Sequence, residues 1–365
     1  MIARPTVHPA ELRQILHQHL APLGQLSRCA LINYPNHINI GDHLIWLGNL
    51  LYLREVLQVE IGYTASSTTF DANEMEQRVG KVPILLHGGG SLGDLWYTHQ
   101  IFRERIIQRY PDRSIIILPQ TVYFQDQAKG EQAAKIFNQH PDLTIFTRDR
   151  ISYELARTYF NQCRVLLAPD TALQLTQLAD FPVATTPQGI FYQCRSDLEL
   201  SGEQWQAWGQ KQRGDWRAYE DQWVMGPLDT PWKRHLATVI RAGWQRGVRH
   251  PKEWWSRLAW DTRFKPRDSL NDIYPQAEQH RSWSFIHSGV YQFRQYRLII
   301  TNRLHGHILC TLLKIPHIFL PNCYHKNRAF YDTWTSGLPY CRFVEESSQL
   351  TAAISSLLPD IALPD

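Results

Sequence analysis

Leu143-Thr-Ile-Phe146, then Arg150 to Phe160, then Arg164-Val-Leu-Leu167 is the stretch that decides the fold. An apolar run of strand length is followed by a helical stretch and then by a second strand-like run. Two strands joined through a helix form a crossover unit, which pairs them in parallel and lays the helix over one face of the sheet. The same alternation extends towards the N-terminus. Cys29-Ala-Leu-Ile-Asn33 reads as a strand, and His43 to Leu57 as a helix with Leu44, Leu47, Leu51 and Val56 on its apolar side. Val82-Pro-Ile-Leu-Leu86, a helix near Gln100 to Arg109, Ser114-Ile-Ile-Ile-Leu118 and a helix from Gln127 to Asn138 continue it, after an opening amphipathic stretch, Pro9 to Leu20. The first domain, residues 1–181, is therefore expected to be α/β with a parallel sheet covered on both faces.

The second half returns to the same grammar. Ile190-Phe-Tyr-Gln-Cys194, Leu298-Ile-Ile-Thr301 and Pro316-His-Ile-Phe-Leu320 read as strands, and His305 to Leu313 as a helix. A second α/β domain is expected over 182–345, with a closing helix and tail over 346–365. Two α/β domains facing each other across a cleft follow. Because ligands of open α/β sheets sit beyond the carboxyl ends of the strands, the site should be built from the loops that follow them.

Composition narrows the class. The chain has 365 residues, 43% hydrophobic and 20% charged, which excludes collagen-like and disordered classes. Six scattered cysteines without C-x-x-C spacing suggest neither zinc nor a disulfide framework, so a cytoplasmic setting is expected. No apolar run has the length of a membrane span. A net charge of +4 is too small to indicate nucleic acid. Pro231 to Asp268 stands apart, within an unmatched insertion of about 205–283. It holds ten basic residues against three acids, with Trp232, Trp244, Trp254, Trp255 and Trp260. Two readings stand: a packed helical insertion with solvated arginines, or a peripheral contact with the anionic inner membrane surface.

The chemistry-bearing motifs all follow strands. His87-Gly-Gly-Gly-Ser-Leu-Gly-Asp94 satisfies G-x-G-x-x-G through Gly88, Gly90 and Gly93. A dinucleotide site would need an acid at the end of the next strand, and Pro119-Gln120-Thr121 offers none. What remains is a loop, with Gly88, Gly89 and Gly90 at its centre and Asp94 at its end. It brings backbone N–H groups at a helix start close to a ligand. Asn39-Ile-Gly41-Asp42 opens the first long helix, so Asp42 is either its N-cap or a general base for a sugar hydroxyl. In Thr301-Asn302-Arg303-Leu-His305-Gly306 a guanidinium and an imidazole stand two residues apart at a helix start. Arg grips an anion through two bonds and keeps its charge, while His moves protons near neutral pH. Arg148-Asp149 and Arg195-Ser-Asp197 also follow strands.

Taken together the motifs resemble the polysaccharide pyruvyl transferases. Asn39-Ile-Gly-Asp42, His87 to Asp94, Arg148-Asp149 with Ser152, and Pro169-Asp170 carry the likeness in the first half. Arg195-Ser-Asp197 with Glu199, Asn302-Arg-Leu-His-Gly306, Tyr324-His-Lys-Asn327 and Phe330-Tyr-Asp-Thr-Trp334 carry it in the second. They run in family order over nearly the whole chain. The resemblance implies two Rossmann-like domains facing a cleft in a GT-B-like pair, phosphoenolpyruvate as donor, and a sugar or lipid-linked oligosaccharide as acceptor. It implies that Arg148 and Arg303 bind the donor, with Lys326 and Asn302 beside them, and that His305 is the acid. Asp42 is expected to take a hydroxyl proton. Asn39, Gly41, the glycine loop, Asp94, Arg195 and Asp197 are expected to supply acceptor or loop contacts. No metal-ligand spacing such as H-E-x-x-H is present, so no metal and no cofactor beyond the donor is expected. A GT-B-type glycosyltransferase using a nucleotide sugar is the rival reading. A non-catalytic glycan binder would have no need of Arg303 and His305 together.

Overall fold

The computed structural model describes residues 7–182, 186–193, 199, 213–214, 251–264 and 270–360. Two parallel sheets organise them. The first holds β1 (Arg28–Ile32), β2 (Glu60–Ala65), β3 (Ile84–Leu86), β4 (Gly89–Gly93), β5 (Ile115–Tyr123), β6 (Leu143–Thr147) and β7 (Arg164–Leu167), ordered β2-β1-β3-β5-β6-β7 with β4 also on β5. The second holds β8 (Ile190–Gln193), β9 (Arg213–Gly214), β10 (Leu298–Thr301), β11 (His317–Phe319) and β12 (Cys341–Phe343), ordered β12-β11-β10-β8-β9. Both sheets wind alike: the second strand lies on one side of the first, and later strands build out on the other. The winding reverses between β1 and β3 and again between β8 and β10, and a crevice opens at the carboxyl end of each such point.

Alternate residues of each strand point to opposite faces, so one strand feeds two cores. Cys29, Leu31, Leu85, Ile116 and Phe146 face inward from the first sheet, and Phe191, Ile299 and Phe319 from the second. Between them lie the helices Ile40–Leu51, Gln276–Phe293 and Leu304–Leu313, and the apolar layer they form is continuous from one sheet to the other. On the outer face of the first sheet, Ala30, Ile32, Ile115, Ile117 and Ile145 pack under helices Ala72–Val79, Tyr97–Arg109, Gln127–Phe137 and Arg150–Tyr159. On the outer face of the second, Leu298, Ile300 and Ile318 are covered by Leu350 and Ile354 of the helix Leu350–Leu357.

Most expected elements fall close to the observed ones, and several features differ or are added for physical reasons. The first long helix begins at Ile40 because the Asn39 side chain caps it, accepting from Gly41 N at 3.0 Å; Asp42 is therefore not the N-cap. The glycine loop does not run into a helix start. Gly89–Gly93 is strand β4 on β5, and the next helix begins at Tyr97. Gly93, at φ 144°, presses on Tyr123, and a Cβ there would sit 2.7 Å from the Tyr123 carbonyl carbon, so this glycine serves strand contact. Strand β2 and the helix Ala72–Val79 were not anticipated, since Glu60 and Gly62 break up the apolar signal of a strand with a single neighbour. Finally, Pro251–Arg263 is a helix whose Glu253, Arg257 and Trp260 are buried, with Trp260 edge-on to Phe181 at 4.8 Å. That part of the basic segment is packed; its other residues lie outside those described, apart from Phe264.

Candidate active site

A cavity of about 310 Å³ opens where the carboxyl ends of the two sheets meet. The first sheet contributes the loop after β1 (Asn33, Pro35, His37, Ile38, Asn39), Asp42, then His87, Gly88, Gly90 and Ser91 after β3, and Arg148 after β6. Trp96 and His99 reach it from the next helix and its approach. The second sheet contributes Glu199, Arg303, Leu304, His305 and Lys326. Both winding-reversal points thus feed one cavity, as the topology requires.

Its cationic end is held by buried carboxylates. Arg148 is 1% exposed; its Nε donates to Thr121 Oγ1 at 2.8 Å and its Nη1 to Asp170 Oδ2 at 2.7 Å. Asp170 also faces His305 Nε2 at 3.5 Å, and its Oδ1 accepts from Ala172 N at 2.9 Å. Burial alone would raise the Asp170 carboxyl, but His305, Arg148 and the Ala172 N–H outweigh it and hold it below the usual carboxylate range. In the second half Lys326 pairs with Glu199, and Glu199 Oε1 accepts from Trp96 Nε1 at 3.2 Å, a bond that crosses between the halves. Gly90 leaves the space these cations occupy: a Cβ there would meet Arg148 Nη2 at 3.0 Å and Lys326 Cδ at 3.8 Å.

The other end is a carboxylate among imidazoles. Asp42 Oδ2 accepts from Asn39 Nδ2 at 2.9 Å and lies 3.5 Å from His37 Nε2. Burial pushes the Asp42 carboxyl up, yet His37, His305, His87 and His99 together bring it below the ordinary value, so it is ionised at neutral pH. His87 is pushed down to about 3, chiefly by burial, and is neutral; His99 is lowered for the same reason.

Of the residues anticipated from sequence, Asp42, Asn39, Gly88, Gly90, Arg148, Arg303, Lys326 and His305 line this cavity. Arg303 is extended and the helix starts at Leu304, so Arg303 and His305 reach the cavity from either side of the helix boundary. Gly41 lies beneath His305, and Gly89 sits in β4 near Asp42 Oδ1. Asn302 does not line the cavity; its carbonyl accepts from Asn327 Nδ2 at 2.8 Å and braces the loop. Asp94 also stands outside, its two oxygens accepting from Gln125 N and Asp126 N, both at 2.8 Å. Asp149 caps the helix Arg150–Tyr159, accepting from Ser152 N at 2.7 Å. Arg195 and Asp197 lie outside the described residues.

Sequence reasoning gave no part to His37, Trp96 or His99. His37 is in the loop after β1, where the rule on strand ends could have found it; nothing in the spacing around Trp96 and His99 marks them. Among the described residues, His307, His317 and Cys341 form a cluster of metal-capable atoms. Their hydrogen bonds form a closed chain: His317 Nδ1 donates to Ile315 O, His307 Nδ1 donates to His317 Nε2 at 2.8 Å, and His307 Nε2 accepts from Thr335 Oγ1. A buried chain with every nitrogen bonded is a structural device of the second sheet.

The cleft between the two parallel sheets is thus lined by Arg148, Arg303, Lys326 and His305 together with Asp42, and comparison of the sequence gives the class of protein, a polysaccharide pyruvyl transferase. The sequence profile of that family matches residues 39–324, and the chain belongs to the family. It is 30% identical to Pyruvyl transferase 1 of Schizosaccharomyces pombe over 86% of this chain and 71% of that protein. It is 29% identical to EpsO of Bacillus subtilis, provisionally named a pyruvyl transferase, over 93% of this chain and 95% of that one. An uncharacterised protein of Klebsiella pneumoniae has a similar fold, with a TM-score of 0.55 at 15% identity over 91% of this chain and 98% of that one. Among the described residues no helix is long and apolar enough to cross a membrane.

Proposed function

We propose that the protein transfers the pyruvyl group of phosphoenolpyruvate to two hydroxyls of one sugar in a cell-surface glycan precursor, forming a ketal and releasing phosphate. The observation that carries this reading is that Arg148, Arg303, Lys326 and His305 line one cavity together with ionised Asp42. Phosphoenolpyruvate is small and carries a carboxylate and a phosphate, which suits several fixed cations. A proton delivered to C3 leaves C2 oxocarbenium-like. One sugar hydroxyl adds to C2, the C2–O bond to phosphate breaks, and a second hydroxyl closes the ring. Of the two hydroxyl protons, one replaces the proton given to C3 and the other leaves with phosphate. His305 is the donor of the C3 or leaving-group proton, and Asp42 takes a hydroxyl proton from the acceptor sugar. The scheme uses no cofactor.

The identical winding of the two sheets supports a GT-B-like pair of Rossmann-like domains, divided as 1–181 and 182–345, with 346–365 closing the second. The acceptor we propose is a sugar or lipid-linked oligosaccharide met on the cytoplasmic side of the membrane, the basic Trp-rich segment touching the lipid surface. The test is incubation with phosphoenolpyruvate and a panel of synthetic glycosides, following phosphate release and mass gain on the glycan. Turnover of nucleotide sugars in place of phosphoenolpyruvate would overturn the reading.

A further inference from the structure

We propose that Asp170 is the positioning residue of this site, one buried carboxylate that fixes the Arg148 fork and sets the His305 ring against it. The inference rests on the donor reading for what Arg148 and His305 do, and on geometry alone for how they are held. Arg148 follows β6 in the first sheet, His305 follows β10 in the second, and nothing in either strand dictates their mutual placement. Asp170 supplies it. The residue follows β7, is 0% exposed, and has both oxygens engaged: Oδ1 on Ala172 N, Oδ2 on Arg148 Nη1 at 2.7 Å and facing His305 Nε2 at 3.5 Å. The Arg148 guanidinium is held a second time by Thr121 Oγ1 at 2.8 Å, so the fork is fixed at two points, and Nη2 stands beside Gly90 at the cavity wall. A fork held this way does not have to be ordered when an anion arrives, which saves side-chain entropy on binding.

The substitution that separates this role from simple charge is Asp170→Asn. Volume is kept, but an amide has one acceptor oxygen, so its NH2 must oppose either Ala172 N or Arg148 Nη1. Calorimetric titration of phosphoenolpyruvate into wild type, Asp170→Asn, Arg148→Ala and the double variant gives the coupling. Affinity should fall on the order of ten-fold in Asp170→Asn. The double variant should bind no more weakly than Arg148→Ala alone, because Asp170 acts through Arg148. Additive losses, or wild-type affinity in Asp170→Asn, would overturn the proposal. A second readout needs no donor: side-chain NMR of Arg148 should show hindered rotation about the Cζ–Nη bonds in wild type and free rotation in Asp170→Asn. If wild type takes up no phosphoenolpyruvate but the NMR change occurs, the donor reading fails and the positioning role stands. Free rotation already in wild type would remove it. Melting temperatures check folding, and Asp170→Ser, which leaves room for a water between Arg148 and Ala172, serves should the amide variant not fold.

Discussion

Gly41 and His305 are in van der Waals contact across the two halves of the protein: a Cβ built on Gly41 would lie 2.6 Å from His305 Cγ. Gly41 stands in the first turn of the helix after β1, and His305 in the first turn of the helix after β10. The absence of a side chain on one helix lets the imidazole of the other reach the cavity. Gly41→Ala should therefore displace His305, since helix backbone cannot yield and overfilling a packed site costs about 1–3 kcal/mol. Alanine at an unhindered helix position would instead stabilise. The expected outcome is a lower melting temperature and at least ten-fold slower turnover, measured by phosphate release from phosphoenolpyruvate with a glycoside acceptor. A variant as stable and active as wild type would show that the ring tolerates the methyl group.

His305→Gln should lower turnover by about 10²–10⁴-fold, the usual worth of general acid catalysis, while donor affinity changes little because the arginines carry it. Turnover per folded molecule, set beside the melting curve, is the measurement. Loss of stability with normal turnover in the folded fraction would reduce His305 to packing.

Arg303→Lys keeps the charge and loses the planar fork, so donor affinity should fall by an order of magnitude or more. Titration of phosphoenolpyruvate into the variant checks this directly. Equal affinity in Arg303→Lys and Arg303→Ala would take Arg303 out of the donor site.

Acid should destabilise the fold through its buried imidazoles. Burial pushes His43 and His317 down to about 4 and His87 to about 3, against an ordinary value of 6.5. Between these values the unfolded chain binds protons that the folded chain refuses. Their contribution is therefore complete above about 6.5 and is lost as pH falls towards 4. The melting temperature should drop across that window, and less steeply in His87→Gln. An unchanged slope in His87→Gln would show that His87 is protonated in the folded protein.

On the helix Pro251–Arg263, Trp255 is 69% exposed and Leu258 42%, in contrast to buried Trp260. If this segment meets an anionic lipid surface, vesicles containing phosphatidylglycerol should bind the protein at low salt and release it as salt rises, and Trp255→Ala should weaken the binding several-fold. No sedimentation with such vesicles at low salt would leave the helix as a packed insertion only.

Much of the architecture was legible because its signals are local. Apolar periodicity in Leu143–Leu167 and its repeats marks strand and helix within a few residues, and parallel crossover geometry then places every following loop at one end of a sheet. That is why Asp42, Gly88, Gly90, Arg148, Arg303 and His305 could be nominated together, whereas Lys326 came only with the family resemblance. Edge strand β2 escaped notice because a strand with one neighbour tolerates Glu60 and Gly62, and β4 because a glycine run that hugs another strand looks like a flexible loop. Asp94 carries the right chemical group but spends it on the backbone N–H groups of Gln125 and Asp126, and Asn302 stands off the cavity, its carbonyl held by Asn327.

What the sequence by itself determined is most of the elements, their joining by parallel crossovers and the loops from which a site had to come, since these follow from hydrophobic period and chain connectivity. Only the tertiary structure decided the partnerships: Asp170 with both Arg148 and His305, Trp96 with Glu199 and Lys326, and His37, His87, His99 and His305 around Asp42. Each joins residues from separate loops, most of them far apart along the chain, and depends on how the two sheets face each other. That facing is set by the continuous apolar layer between them, whose packing no single segment of the sequence encodes.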